Sequence, residues 1–181
     1  DDYESIQNLG NTYFTIGDIN TAKIYYKKVL AINKNYAPAL SNLGGIELKT
    51  GNEKEALSLL LKATLSDPKL PAAWSNLASC YIKSGKMKEA ESACKRALNL
   101  NPNLLNCHFT LANIFIGQKK LEDAERSLRK AIGLKNDFFQ AHLNLGGVLK
   151  DLGKLKEAAI SIQKSIDVNS SNFYSHFLLG S

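Results

Sequence analysis

Several features are scarce in this chain, and each shortage excludes a class of protein. Its 181 residues include only four prolines, too few for a proline-rich linker or a collagen-like chain. The longest apolar runs, such as Leu59 to Leu61, are much shorter than the ~20 residues that a membrane-spanning helix needs. The opening segment, which starts at Asp1, has no charged region followed by an apolar one, as a signal peptide would. We therefore predict a cytoplasmic protein with no part in the membrane.

Cysteine is also scarce, and its spacing excludes two further classes. Cys80, Cys94 and Cys107 are odd in number and lack the short spacings of a metal site or a disulfide framework. Cysteine without such partners is among the most buried residue types. We expect three reduced side chains in or near a core, in a reducing compartment. Neither a metal nor any other cofactor is predicted.

The formal net charge of +6 is spread thinly along the chain. Lysine and arginine alternate with acidic residues throughout, and no block of one sign occurs. A mixed surface of this kind keeps a protein soluble, and it lacks the continuous basic track that binds nucleic acid phosphates. The content of 44% hydrophobic and 22% charged residues is that of an ordinary globular protein.

The dominant feature is an internal period of 34 residues. Alanine recurs at this spacing from Ala22 to Ala158, and leucine from Leu9 to Leu179. Another column holds glycine except at Lys119, where a glycine lies two residues earlier. The chain is therefore predicted to be one array with repeats at 3–36, 37–70, 71–104, 105–138 and 139–172, and a partial repeat at 173–181.

Each repeat has the apolar pattern of two helices. Positions 4, 7, 8 and 11 lie on one face of a first helix, and positions 20, 24 and 27 lie on one face of a second. Large and small residues alternate there, which lets the two helices approach closely. The glycine near position 15 ends the first helix in a left-handed conformation, and Pro38 and Pro71 fall in first turns. The pattern predicts an all-α fold.

No catalytic or metal-binding cluster is predicted. The three histidines, His108, His142 and His176, all occupy position 4, at intervals of 34 residues. Equivalent positions in stacked helix pairs lie roughly 10 Å apart, whereas zinc holds its ligands at about 2.0–2.3 Å. We expect these rings to pack between repeats in the place that Trp74 occupies in the third repeat.

The third repeat resembles the tetratricopeptide repeat (TPR) family. Its Trp74-x2-Leu77-Ala78-x2-Tyr81, followed by Gly85, Ala90, Ala97 and Pro102, is similar to the family consensus nearly position for position. The resemblance covers essentially the whole chain. It implies a right-handed superhelical solenoid of antiparallel helix pairs whose first helices line a concave groove. It also implies a module that binds a protein or peptide, and not an enzyme.

The resemblance places positions 2, 5, 6, 9, 12 and 13 of each repeat in the groove. Position 6 is mostly asparagine, whose amide offers the donor and the acceptor that a peptide unit needs. Apolar residues such as Phe14, Leu48, Ile116 and Leu143 occur between these amides. The candidate peptide-binding residues are Asn8, Asn11, Asn42, Asn76, Ser79, Lys83, Phe109, Asn113 and Asn144. A structural role for the position 6 asparagines is the alternative.

The partner is less well determined by the sequence. The TPR class that grips acidic chaperone tails needs cations where this chain has Gln7, Ser75 and Asn76. The unbroken 34-residue spacing and the asparagines are more similar to the array of O-GlcNAc transferase, which implies a substrate-presenting arm of a larger enzyme. Self-association through open ends, with 173–181 as part of a longer array, is a third hypothesis. RNA binding is disfavoured, because groove cations are few, chiefly Lys49, Lys83 and Lys150.

Overall fold

A computed structural model describes residues 3–168, which are all-helical apart from short loops. The chain divides into two compact units, residues 1–102 and residues 103–181. The first unit contains α1 (Tyr3–Thr15), α2 (Ile19–Ile32), α3 (Ala37–Lys49), α4 (Glu53–Ser66), α5 (Pro71–Lys83) and α6 (Met87–Leu100). The second contains α7 (Leu105–Gly117), α8 (Leu121–Leu134), α9 (Phe139–Asp151) and α10 (Leu155–Val168). The all-α prediction is confirmed.

Consecutive helices form hairpins, since α1 packs on α2, α3 on α4 and α5 on α6 in the first unit, and α7 on α8 and α9 on α10 in the second. The loop within each pair is so short that its two helices run antiparallel. Pro38 and Pro71 lie in the first turns of α3 and α5, as predicted, where a helix needs no N–H from them.

The turn inside each pair depends on a left-handed residue. Gly17, Gly51, Gly85 and Gly153 have φ values between 70° and 89°, a region that glycine enters without a side-chain penalty. The glycine column therefore marks these turns as predicted. In the fourth pair Lys119 itself adopts φ 59°, while the nearby Gly117 is the last residue of α7. The chain makes the same turn there at a conformational cost.

The two helices of a pair touch most closely at position 8 of the first helix. A Cβ added to Gly44 would lie 2.7 Å from Leu60 Cγ, and one added to Gly10 would lie 2.7 Å from the Tyr26 ring. The third pair instead has a small residue on both sides, Ala78 in α5 and Cys94 in α6. In the first two pairs a glycine thus faces a large side chain, whereas two smaller residues meet in the third, which accounts for the small residues at position 8.

Position 4 has a recurrent polar contact. Trp74 Nε1 donates to the carbonyl oxygen of Pro68 at 2.9 Å, and His142 Nε2 makes the corresponding contact with the carbonyl oxygen of Asn136 at 2.8 Å. His142 is buried, so the prediction that it packs in the place of a tryptophan is confirmed. His176 lies outside the described residues.

Among the described residues, the leucines at position 7 of each repeat are buried with one exception. Leu43, Leu77, Leu111 and Leu145 are at most 6% exposed. Leu9, at the equivalent position of α1, is 46% exposed, because no described helix lies against this face of α1. The expectation that it belongs to the core is wrong.

The three cysteines are buried thiols, as predicted. Burial raises the pKa of the Cys80 thiol, with the nearby Glu53 acting in the same direction. A thiol of this kind is a packing residue and a poor nucleophile.

Candidate functional site

Asparagine side chains on the first helices join successive repeats. Asn42 Nδ2 of α3 donates to Asn11 Oδ1 of α1 at 2.9 Å. In the second unit Asn144 Nδ2 of α9 donates to Asn113 Oδ1 of α7 at 2.8 Å. Both bonds run from position 6 of one repeat to position 9 of the repeat before it. One amide donor of Asn42 and one of Asn144 are therefore used inside the fold.

Asn11 is the most heavily used acceptor of this set. Its Oδ1 also accepts from Gln7 Nε2 at 3.2 Å and from the Tyr26 hydroxyl at 3.0 Å. Tyr26 is fully buried, and burial raises its pKa, while a hydrogen bond with Asn42 acts in the opposite direction. Asn11 thus provides an acceptor for the hydroxyl group of a buried tyrosine.

Asn76 makes a different contact because the repeat before it lacks the acceptor. Position 9 of that repeat is Gly45. A Cβ added to Gly45 would lie only 3.3 Å from Asn76 Nδ2. Asn76 Nδ2 donates to the carbonyl oxygen and to Oγ of Ser41, each at 3.2 Å. A small residue at position 9 therefore lets the amide reach one turn further.

Two of the three lysines expected in the groove, Lys49 and Lys83, are used between repeats. Lys83 Nζ donates to the carbonyl oxygen of Leu48, near the C-terminus of α3, at 2.7 Å. Lys49 Nζ lies 5.0 Å from the centre of the Phe14 ring, a cation–π distance. Each lysine is at position 13 and covers position 12 of the preceding repeat. These contacts leave the lysines poorly placed to track a phosphate backbone.

The second unit has an open groove on its first helices, which we name the α7–α9 groove. It encloses about 460 Å³. Val148 forms a buried part of its wall, and Leu143 and Ile116 are half-buried. It is lined by Asn113, Ile116, Leu143, Asn144, Gly147, Val148 and Asp151. Asp151 is the last residue of α9 and lines this groove.

The remaining candidate residues differ in their surroundings. Phe109 is half-buried, with its ring centre 4.7 Å from that of Phe138. Ser79 is half-buried and donates to the carbonyl oxygen of Ser75 within its own helix at 3.2 Å. Asn8 is exposed on α1. Of the nine candidates, the structure brings Asn113 and Asn144 together in the α7–α9 groove, while six lie in the first unit.

Sequence reasoning missed a set of ion pairs between repeats. Glu47 is completely buried at position 11, where Tyr13 and Tyr81 occupy the neighbouring repeats. Its carboxylate binds Lys23 Nζ at 2.5 Å and accepts from Asn52 Nδ2 at 2.6 Å. Burial by itself would raise the pKa of Glu47, but these two bonds and the charges of nearby lysines hold it below its ordinary value. A glutamate in a column of otherwise large hydrophobic residues was the available signal.

The second unit has its own version of this junction. Glu125 of α8 pairs with Lys154 at 2.7 Å and with Arg129 at 2.9 Å, and Arg129 also reaches Glu157 at 2.6 Å. The hydrogen bond from Lys154 is the main reason that the pKa of Glu125 is lowered, with burial opposing it and Arg129 adding to it. Glu125 is on the second helix of its repeat, whereas Glu47 is on the first helix of its repeat. The two units therefore form their ion pairs from different helices.

Residues 3–168 lack two further kinds of feature. No cluster of three or more His, Cys, Asp or Glu side chains suited to a metal ion occurs there. No helix in that same range is both long enough and apolar enough to cross a bilayer.

The fold is shared with solved TPR structures. PilF of Pseudomonas aeruginosa superposes with a TM-score of 0.86 at 21% identity, covering 98% of this chain and 81% of its own. MamA of Desulfovibrio magneticus RS-1 gives a TM-score of 0.74 at 20% identity, covering 96% of this chain and 98% of its own. YrrB, described as a TPR protein with an unusual peptide-binding site, gives 0.75 at 19% identity, covering 97% of this chain and 91% of its own. At these identities the likeness shows the fold alone.

Sequence comparison assigns the family. No curated protein matches the chain. The family model described as "Cilia and flagella-associated protein 70 C-terminal domain" matches residues 2–181, essentially the whole chain. A closer likeness to the array of O-GlcNAc transferase stays a prediction. The chain is a TPR protein that belongs to the family of the cilia and flagella-associated protein 70 C-terminal domain.

Proposed function

We propose that this chain is a protein-binding module without catalytic activity, and that the α7–α9 groove holds an extended segment of its partner. The single observation that carries the proposal is the groove itself. In this groove the side chains of two first helices leave open space beside apolar residues and amides. TPR proteins in general mediate interactions between proteins.

The chemistry of the groove suits a polypeptide. Leu143 and Ile116 offer apolar area to a side chain, and burial of such area is the main source of affinity in small sites. Asn144 uses one amide donor on Asn113, and an asparagine amide has a second donor and a carbonyl oxygen that match a peptide unit. Gly147 adds no side chain, so a backbone can lie close to α9.

The family name suggests where the partner occurs. Because the family is named for a protein associated with cilia and flagella, we propose that the partner is a protein of these organelles, met on their cytoplasmic side. A substrate-presenting arm of a modifying enzyme and a self-associating scaffold are alternatives that no contact of the described residues favours. RNA binding is disfavoured further, because Lys49 and Lys83 are used inside the fold.

Filling the groove tests the proposal. A Cβ at Gly147 meets nothing within 4 Å, so the helix has room for the first atom of a side chain there and Gly147→Leu puts a large one into the groove. Gly133→Leu is the matched control, since Gly133 also meets nothing within 4 Å and lies on the second helix α8, outside the groove lining. Both changes replace a helical glycine and should raise stability by about 0.5–1 kcal/mol.

The two variants and the unchanged chain are immobilised and compared in capture from a ciliary extract. We expect a protein that the unchanged chain and the Gly133→Leu variant retain and that the Gly147→Leu variant releases. Equal retention by all three would show that the α7–α9 groove is not the binding site.

A further inference from the structure

The two units differ at one repeated position on their first helices. In the first unit, position 13 is lysine at Lys49 and Lys83. Lys49 covers the ring of Phe14, and Lys83 binds the carbonyl oxygen of Leu48. These lysines therefore occupy the space next to position 12 of the preceding repeat.

In the second unit the corresponding residue is an acid. Asp151 is at position 13 of α9, and position 12 of the preceding repeat is Ile116. Asp151 is shorter than lysine and opposite in charge, and both residues line the α7–α9 groove. The α7–α9 groove thus has open space at the position that a lysine occupies in the first unit.

Asp151 also determines the charge of the groove. It is the one charged residue among the seven that line it, and it is exposed. Leu143 lies eight residues before it on the same helix, which corresponds to about 12 Å along the axis. An extended chain covers that length in three to four residues, at about 3.3 Å per residue.

We propose that the α7–α9 groove selects a partner segment in which a large apolar side chain and a lysine or arginine lie about three residues apart. The apolar side chain packs on Leu143 and Ile116, and the cation pairs with Asp151. This inference deepens the proposed function and rests on it, because it names the class of segment that the same groove accepts. An acidic segment would meet an uncompensated like charge at Asp151, which disfavours it.

The test is a selection from a phage-displayed library of random twelve-residue peptides on the unchanged full chain. The enriched peptides are then synthesised with a fluorescent label, and their dissociation constants are measured by anisotropy. The variants are Asp151→Asn, Asp151→Lys and Gly147→Leu. Asp151→Lys restores the residue type of the first unit, and Gly147→Leu fills the groove. Far-ultraviolet circular dichroism checks that all variants are equally helical.

We expect the enriched peptides to combine a large apolar residue with lysine or arginine. Their affinity should fall about tenfold in Asp151→Lys, less in Asp151→Asn, and beyond detection in Gly147→Leu, because a rim charge contributes modestly and its reversal adds repulsion. The loss in Asp151→Asn should shrink at high salt.

Two kinds of failure are distinguishable. Peptides that Gly147→Leu releases but that bind Asp151→Lys as tightly as the unchanged chain, or that are acidic, would overturn the inference and leave the proposed function in place. If no peptide is enriched that Gly147→Leu releases, the proposed function is wrong and the inference falls with it.

Discussion

Asn113 accepts a hydrogen bond of 2.8 Å from Asn144, the same contact that Asn11 accepts from Asn42 one unit earlier. Side chains that the sequence suggested as ligand contacts are therefore also the polar links between repeats. The two roles are compatible, since an asparagine amide has more donors and acceptors than one such bond uses. A substitution there changes stability as well as binding, which is why filling the groove is the cleaner test of function.

The first prediction concerns Asn11. Asn11→Ala should lower the free energy of unfolding by about 1–3 kcal/mol, because it removes the acceptor of three donors and leaves the buried Tyr26 hydroxyl without it. Asn8→Ala, at an exposed position of the same helix, is the control and should change stability by less than about 0.5 kcal/mol. Urea unfolding followed by circular dichroism measures both. Equal changes in the free energy of unfolding of the two variants would show that the Asn11 contacts add nothing to stability.

The second prediction concerns the contact between α3 and α4. Gly44→Ala should destabilise the protein by about 1–3 kcal/mol, because its new methyl group would meet Leu60. Combining it with Leu60→Cys recreates the pairing of Ala78 with Cys94 in the next repeat. A double-mutant cycle should then give a coupling free energy that favours the double variant. Simple additivity of the two changes would contradict this account of the packing.

The third prediction concerns Lys119. Lys119→Gly should raise the free energy of unfolding by about 1 kcal/mol, because glycine adopts the left-handed conformation without the Cβ penalty. Gly85→Lys is the reverse change in the third repeat, where a new Cβ has open space and only the backbone conformation opposes it. It should lower stability by a similar amount. A thermal unfolding scan of both variants measures the two shifts, and a loss of stability in Lys119→Gly would refute the prediction.

The fourth prediction concerns pH and Glu47. Because the folded-state pKa of Glu47 is lowered from 4.5, this residue contributes stability above its unfolded pKa, and that contribution is lost as pH falls through the folded value. The free energy of unfolding should therefore decline as the pH is lowered from about 4.5. Glu125, whose pKa is also lowered, contributes in the same direction.

Glu47→Gln should remove its part of this dependence. The variant should be less stable than the unchanged chain at pH 7, by about 1–3 kcal/mol, because Lys23 loses its partner, and the gap should narrow at pH 3. Glu55→Gln, at an exposed position of α4, is the control. Urea unfolding from pH 3 to pH 7 gives the comparison. A constant gap across this range would mean that Glu47 does not titrate with folding.

Several elements were predictable because they repeat. Ala56 and Ala90 are buried, and Gly51 and Gly85 turn the chain, at the places that a 34-residue period assigns to them. Each of these positions has an equivalent place in every helix pair, so one interpretation applied to all five pairs. Residues that depart from their column were harder to interpret, since Glu47 is a charge among large hydrophobic residues and Lys119 is a side chain in a glycine column. Leu9 keeps its column, and its prediction failed because no described helix lies against that face of α1.

The candidate groove was predictable only in part. The family resemblance placed Asn113, Ile116, Leu143 and Asn144 on one surface, and the structure has them lining one groove. The resemblance did not show that Asn144 donates a hydrogen bond to Asn113, or that Lys83 donates one to the carbonyl oxygen of Leu48. Such contacts join different repeats, and their geometry depends on how one helix pair packs on the next.

The amino-acid sequence by itself determined the period, the helix pairs and the turns, because apolar spacing and glycine act over one or two helical turns. It also determined the family to which the chain belongs. Tertiary structure alone decided which polar groups are used between repeats and which remain available. Asp151 illustrates the difference, since its charge is evident in the sequence, but the open space that it lines together with Ile116 depends on where α7 and α9 lie relative to each other.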